Sequence, residues 1–153
     1  MPPKTKINFK IREIKEDDLG KGFFKTLSNL AEIGEVSKNS LKARKILQAI
    51  KSNPLHKIFV AVSDDGEVIG LTTLLIEQKF IHDGGKVAHI EDVVTRKEYQ
   101  GLGIGSALIH KVLKLAKERN CYKVILDCSE RNVEYYEKLG FKRHSVSMRY
   151  DLK

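Results

Sequence analysis

The sequence is poor in residues that staple, break or anchor a chain. Its 153 residues include two cysteines, three prolines, two methionines and no tryptophan. Cys121 and Cys128 lie seven positions apart in one strand candidate, so their side chains fall on opposite faces and an intrachain bridge is not expected. Reduced thiols and a cytoplasmic setting follow. No apolar run approaches the ~18 residues of a membrane span, so no membrane partner is expected. The opening stretch MPPKTKINFK has no apolar signal core, and the final DLK is not a peroxisomal tripeptide; import into an organelle by another signal stays open. His82 and His89 sit in no CxxC or HExxH spacing, so no metal is expected.

What is present is charge and a mixed pattern of elements. Lysine and arginine number 28 against 20 acids, a net charge of +8. That balance favours nucleic acid, a membrane surface or phosphorylated small molecules, and does not choose among them. RNP, KH and zinc-finger patterns are missing, and aromatics are only 7% of the chain, which disfavours the rival reading as a nucleic-acid-binding module. The length suits one domain spanning 1–153. Residues 7–14 suit a first strand. A helix is expected to start at Asp17 and Asp18 and to bury Phe23, Phe24, Leu27, Leu30 and Ile33, with Gly34 as its stop. A second, Val36 to Ile50, has Ser37 or Ser40 as N-cap and Leu41, Ile46, Leu47 and Ile50 apolar. Lys57 to Ser63 is a strand. It turns at Asp64-Asp65-Gly66, whose Asp-Gly pair supplies positive φ angles, into a longer strand over Glu67 to Gln78. After a turn at His82 to Gly85, Lys86 to Thr95 is the fourth strand of a mainly antiparallel first half. A helix after the glycines, a strand over Tyr122 to Asp127, a short helix over Asn132 to Leu139 and an extended stretch over Phe141 to Leu152 follow. The expected fold class is mixed α/β, with a strand–helix–strand crossover in the second half.

Residues 87–132 hold the most information. Gln100-Gly101-Leu102-Gly103-Ile104-Gly105 opens a helix, where backbone amides and the helix dipole favour an anion. A dinucleotide fingerprint fits poorly, because Ser106 stands where its third glycine would be and six residues separate strand from turn. A GxxxxGK[ST] phosphate loop is absent. Gln100-x-x-Gly103-x-Gly105 in this context instead resembles the R/Q-x-x-G-x-G/A signature of the GNAT acetyltransferase superfamily. The segments HIEDVV, YQGLGIG and CYKVILDCSERNVEYYEKLGF resemble, more narrowly, the glucosamine-6-phosphate N-acetyltransferase family. The match is close over Lys79 to Met148 and looser before it.

The resemblance implies a GNAT fold, acetyl-CoA as cofactor, D-glucosamine 6-phosphate as the small-molecule acceptor and a homodimer. It implies that Val93, Val94, Thr95, Gln100, Gly101, Leu102, Gly103, Ile104, Gly105, Ser106, Asn132, Val133 and Tyr136 meet the coenzyme. On the acceptor side it implies Lys79, Phe80, Ile81, His82, Glu91, Asp92, Tyr122, Lys123, Asp127 and Arg149. Catalysis falls to Glu91 as proton acceptor, the Val93 N–H at the thioester carbonyl, and Tyr136 as donor to the leaving sulfur. Asp127 either orients the amine or caps the following helix. Strand alternation places the consecutive Glu91 and Asp92 on opposite faces, so only one is expected to face a given pocket. Two positions depart from the family: Ala31 stands where it often has a phosphate-contacting threonine, and Asp151 where it has a substrate-binding arginine, with Arg149 and Lys153 nearby. Another amine, a protein lysine or a polyamine, is the alternative acceptor.

Overall fold

A computed structural model describes residues 5–153, so Met1 to Lys4 of the amino-terminal stretch lie outside it. Five strands form one sheet in sequence order: β1 (Phe9–Glu13), β2 (His56–Ser63), β3 (Val68–Gln78), β4 (Lys86–Thr95) and β5 (Cys121–Ile125). The first four pair antiparallel, and β5 joins β4 in parallel. Parallel neighbours need a crossover, and α4 (Ile104–Glu118) supplies it. The mixed α/β class and the crossover are therefore as the pattern indicates.

The sheet is covered on both faces. Ile104, Leu108, Ile109, Val112 and Ala116 of α4 pack on one face with Phe59, Ile69, Leu74, Ile76 and Ile90. The other face carries Ile14, Phe23, Leu47, Ile58, Val60, Val68, Leu71 and Val94. Gly70 lets α4 lie close on β3: a Cβ there would stand 2.7 Å from Ile104 Cγ2 and 3.2 Å from Leu108 Cδ1. The helix that begins at the glycine turn is thereby pressed onto the middle of the sheet.

The amino-terminal helices differ from expectation. Asp17 and Asp18 open a short 3₁₀ turn over Glu16–Gly20, and α1 is only Phe23–Leu27. Gly20, Gly22 and Gly34 break the long helix that the apolar spacing suggested, and Leu30 is left exposed. Asp18 is 1% exposed and takes two hydrogen bonds from Arg12 Nη1 and Nη2, at 2.7 and 2.8 Å, and one from the Lys15 N–H at 2.7 Å. Burial alone would push its carboxyl up; the bonds from Arg12 and Lys15 outweigh this and hold it below its ordinary value. The second helix, α2, spans Ser40–Lys51, and its N-cap is Asn39, whose side chain accepts from the Lys42 N–H at 3.0 Å, not Ser37 or Ser40. Leu41 and Ile46 lie on its exposed side.

Turns show the same local detail. In the β2–β3 hairpin only Gly66 has positive φ; the Gly66 N–H donates to the Ser63 carbonyl at 2.9 Å, a tight turn followed by a glycine bulge. His82 to Gly84 belong to a one-turn element, α3 (Ile81–Gly84), with Gly85 as its C-cap; His82 and Asp83 take left-handed φ of 50° and 57°. The strand expected through Asp127 ends at Ile125, so Cys128 lies beyond it; both thiols are free. The short helix α5 spans Val133–Lys138 after a 3₁₀ turn at Glu130–Asn132. Residues 142–153 are exposed, adopt no helix or strand and pair with no strand among the described residues.

Candidate active site

The site grows from an irregularity in β4. Leu71 pairs with Val94 and Thr73 with Glu91, so two residues of β4, Asp92 and Val93, oppose the single Thr72 of β3. This is a β-bulge, and it places Asp92 at φ 50°, left-handed for a non-glycine residue. Thr72 is fully buried and its Oγ1 donates to the Glu91 carbonyl at 3.2 Å, fastening the bulge. The bulge corrects the expectation of strict alternation. Glu91 and Asp92 both line one cavity of about 580 Å³, bounded also by Phe23, Phe24 and Leu27 of α1, by Ala43, Ile46, Leu47 and Ile50 of α2, and by Leu71, Thr73 and Leu75 of β3. No lysine or arginine lines it.

Glu91 lies where its charge is disfavoured. Burial, then the nearby charges of Asp127 and Asp92, raise its carboxyl above the ordinary range, against a lowering by His89. A more basic carboxylate takes a proton from an ammonium more readily.

Two residues past the bulge, β4 leads to the glycine turn. The Gln100 side chain donates to the Thr95 carbonyl at 3.2 Å and folds the loop back on the strand end. Gly101 and Gly103 have φ of 80° and 83°, a conformation that side chains disfavour, and Gly103 is the N-cap of α4 with no capping side chain. Leu102 is half-buried. Ile104 and Val94 are buried in the two cores, so only their backbones can face a ligand. Ser106 Oγ lies 3.3 Å from Tyr135 Oη, which ties the first turn of α4 to α5. A Cβ on Gly105 would stand 2.8 Å from the same Tyr135 oxygen. Tyr135 is thus part of the turn, which its place in the sequence did not suggest. These residues fit a diphosphate: no acid stands among residues 100–106, and a 15-residue helix begins at the turn with no side chain capping its amides.

On the far side of β5, Asp127, Cys128, Val133 and Tyr136 line a groove of about 350 Å³ with the start of the carboxyl-terminal tail. Asn132 closes the 3₁₀ turn before α5. Tyr136 is 9% exposed, edge-on to Tyr135 and Phe141. Burial, then Tyr135 and Cys128, push its phenol up to about 12. It stays protonated at neutral pH and so has a proton with which to donate a hydrogen bond. Full transfer to a thiolate with a pKa of about 8.5 is more uphill than for an ordinary tyrosine.

The residues expected on the acceptor side fall into groups. The His82 ring stacks on Tyr122 with centroids 4.0 Å apart, and Lys123 Nζ lies 5.8 Å from the Tyr122 ring centre. Tyr122 Oη is buried without a hydrogen-bond partner. Lys79 pairs with Glu77 at 3.0 Å, while Phe80 and Ile81 project, Phe80 fully exposed. Asp127 accepts from Ser147 at 3.4 Å rather than capping a helix; the cap position of α5 is Asn132. Arg149 stands apart from the cavity within this chain and pairs with Asp151 at 2.6 Å. Among the described residues no group of side chains has the makings of a metal site, and no helix is long and apolar enough to cross a membrane.

Comparison with known proteins agrees with this geometry. A family model described as the acetyltransferase (GNAT) family matches residues 24–141. A glucosamine 6-phosphate N-acetyltransferase of Candida albicans is 38% identical over 92% of this chain and 93% of its own. One of Trypanosoma brucei brucei is 36% identical over 95% and 97%. The crystal structure of glucosamine-6-phosphate N-acetyltransferase from Arabidopsis thaliana, 33% identical, superposes with a TM-score of 0.92 over 95% of this chain and 99% of that one.

Proposed function

The chain belongs to the acetyltransferase (GNAT) family, and we propose that this acetyltransferase moves the acetyl group of acetyl-CoA to the amine of D-glucosamine 6-phosphate. The observation that carries the reading is the bulge in β4, the strand that leads to the glycine turn, where Glu91 and Asp92 open together onto one cavity. The kinship with enzymes named for this acceptor supports the choice of amine.

Acetyl-CoA, when bound, supplies a thioester carbon open to attack by an amine. The amides from Gly101 to Ser106 hold its diphosphate, and the backbones of Val93 to Thr95, with Asn132 and Val133, hold its arm. Glu91, directly or through a water, would take one proton from the ammonium so that the free amine can attack; the second proton, released once the N–C bond has formed, would leave with the sulfur. The Val93 N–H, displaced from one-to-one pairing by the bulge, donates to the carbonyl oxygen as it gains charge. Tyr136 donates to the sulfur as the C–S bond breaks. Asp127 and Asp92 orient the ammonium before it is deprotonated. Because no lysine or arginine lines the cavity, the sugar phosphate points out of it, toward Lys123, the Lys79 turn and Arg149.

A homodimer fits the same picture. β5 is an edge strand, and the tail beyond it exposes Val146, Met148, Tyr150 and Leu152 at 84–90%, an apolar row with the two-residue period of a strand. A second copy supplies the cover, and its tail can bring Arg149 to an acceptor site that its own chain does not reach. The setting we propose is the cytoplasm. The test is thiol release from acetyl-CoA with glucosamine 6-phosphate, glucosamine, spermidine and a lysine peptide. Glucosamine 6-phosphate should be the best acceptor; equal or better turnover of free glucosamine contradicts a phosphate grip.

A further inference from the structure

Arg96 follows directly on Thr95, and the residues argued so far do not use it. Its side chain is almost wholly buried, 4% exposed. Nη2 donates to the Val68 carbonyl at 2.5 Å, to the Gly22 carbonyl at 3.3 Å and to Glu67 Oε2 at 3.2 Å. Nε donates to Thr26 Oγ1 at 3.2 Å, and that hydroxyl in turn donates to the Val68 carbonyl at 2.6 Å. The guanidinium thus joins the start of β3 to both ends of α1. The next two residues face the same way: the Lys97 N–H donates to Asn29 Oδ1 at 2.7 Å, and Glu98 pairs with Lys25 at 3.9 Å. At its other end this strap is the loop that Gln100 folds onto Thr95, immediately before the glycine turn.

A buried guanidinium is costly, and here its one carboxylate partner, Glu67, is 45% exposed, so stability alone is a weak reason for it. Its rigid planar fork of five donors holds acceptors in a fixed geometry, which the three rotatable donors of a lysine do not. Helix α1 has five residues, too few to hold itself, so its position depends on such bonds. Its Phe23, Phe24 and Leu27 form a wall of the cavity onto which Glu91 and Asp92 open.

We propose that Arg96 is a positioning residue that couples the cofactor turn to the acceptor wall: ordering the turn orders α1, and so prepares the cavity for the amine. This rests on the acetyl-CoA part of the reading above, not on the identity of the amine. The test is hydrogen exchange with and without coenzyme A, alongside steady-state kinetics, on wild type and R96M. In wild type, coenzyme A should slow exchange in residues 101–107 and also in 23–30. In R96M it should slow only 101–107. The KM for the acceptor should rise about tenfold in R96M, as for one lost charge-assisted hydrogen bond, with that for acetyl-CoA changed by less than about twofold. Should R96M fail to fold, T26V, which keeps the shape of Thr26 but removes the Nε acceptor, must show the same weakening at 23–30. A wild-type response confined to 101–107, or a response at 23–30 that survives both substitutions, overturns the coupling alone. No response at 101–107 in wild type overturns the turn as the cofactor site, and the coupling with it.

Discussion

The two halves of the site are built differently. The turn proposed for the cofactor is backbone: glycines at positive φ, a helix end, and amides that need no particular side chain. The cavity proposed for the acceptor is side chains brought from α1, α2, β3 and β4, with a bulge to turn two adjacent acids the same way. A backbone site is written in a short stretch of sequence and is damaged by changes of conformation. A side-chain site is assembled over long distances and is damaged by changes of chemistry or packing.

That contrast sets the expected order of effects. E91Q keeps shape and removes the proton acceptor, so kcat should fall about a hundredfold with little change in the KM for acetyl-CoA; an unchanged rate in stopped thiol-release assays removes Glu91 from the mechanism. D18N leaves Arg12 without its charge partner beneath the approach to α1. Denaturant unfolding should show a loss of about 2–3 kcal/mol, less than a fully buried pair because Arg12 is one-third exposed. Because the Asp18 carboxyl is held low, the stabilisation is full above its unfolded pKa of about 4 and disappears as pH falls through the lower folded value. Wild type and D18N should therefore converge in stability in strong acid. G103A forces a side chain into the left-handed region at a cost of about 1–2 kcal/mol, and should raise the KM for acetyl-CoA roughly tenfold while sparing that for the acceptor. Equal shifts in both would erase the distinction between the halves. The smallest effect is D127N. Burial is the main reason that Glu91 titrates high, and the Asp127 charge comes second. Removing that charge lowers the Glu91 pKa, so the acid limb of kcat/KM should move to lower pH by less than about one unit.

Legibility followed the same division. Gln100 to Ser106, the β4–α4–β5 crossover and α5 stand close to where periodicity and glycine spacing put them, because each is set by neighbours in sequence. The long first helix was misread: Phe23, Leu27 and Leu30 repeat like one face, but Gly20, Gly22 and Gly34 decide against it, and only Phe23 of the three becomes buried. The bulge at Asp92 had no signal in an ED pair, since it depends on Thr72 across the ladder. Arg96, Arg12 and Tyr135 belong to no motif that the sequence shows; partners 70, 6 and 29 residues away give them their contacts.

The central claim is that amides after Gln100 hold the diphosphate so that the acetyl group arrives beside Val93 and Glu91. A crystal structure with coenzyme A and glucosamine 6-phosphate tests it most directly. The account predicts the diphosphate within hydrogen-bonding distance of the 101–106 backbone, the sulfur beside Tyr136 and the amine toward Glu91. A diphosphate bound away from that turn, or an amine remote from the bulge, would contradict it.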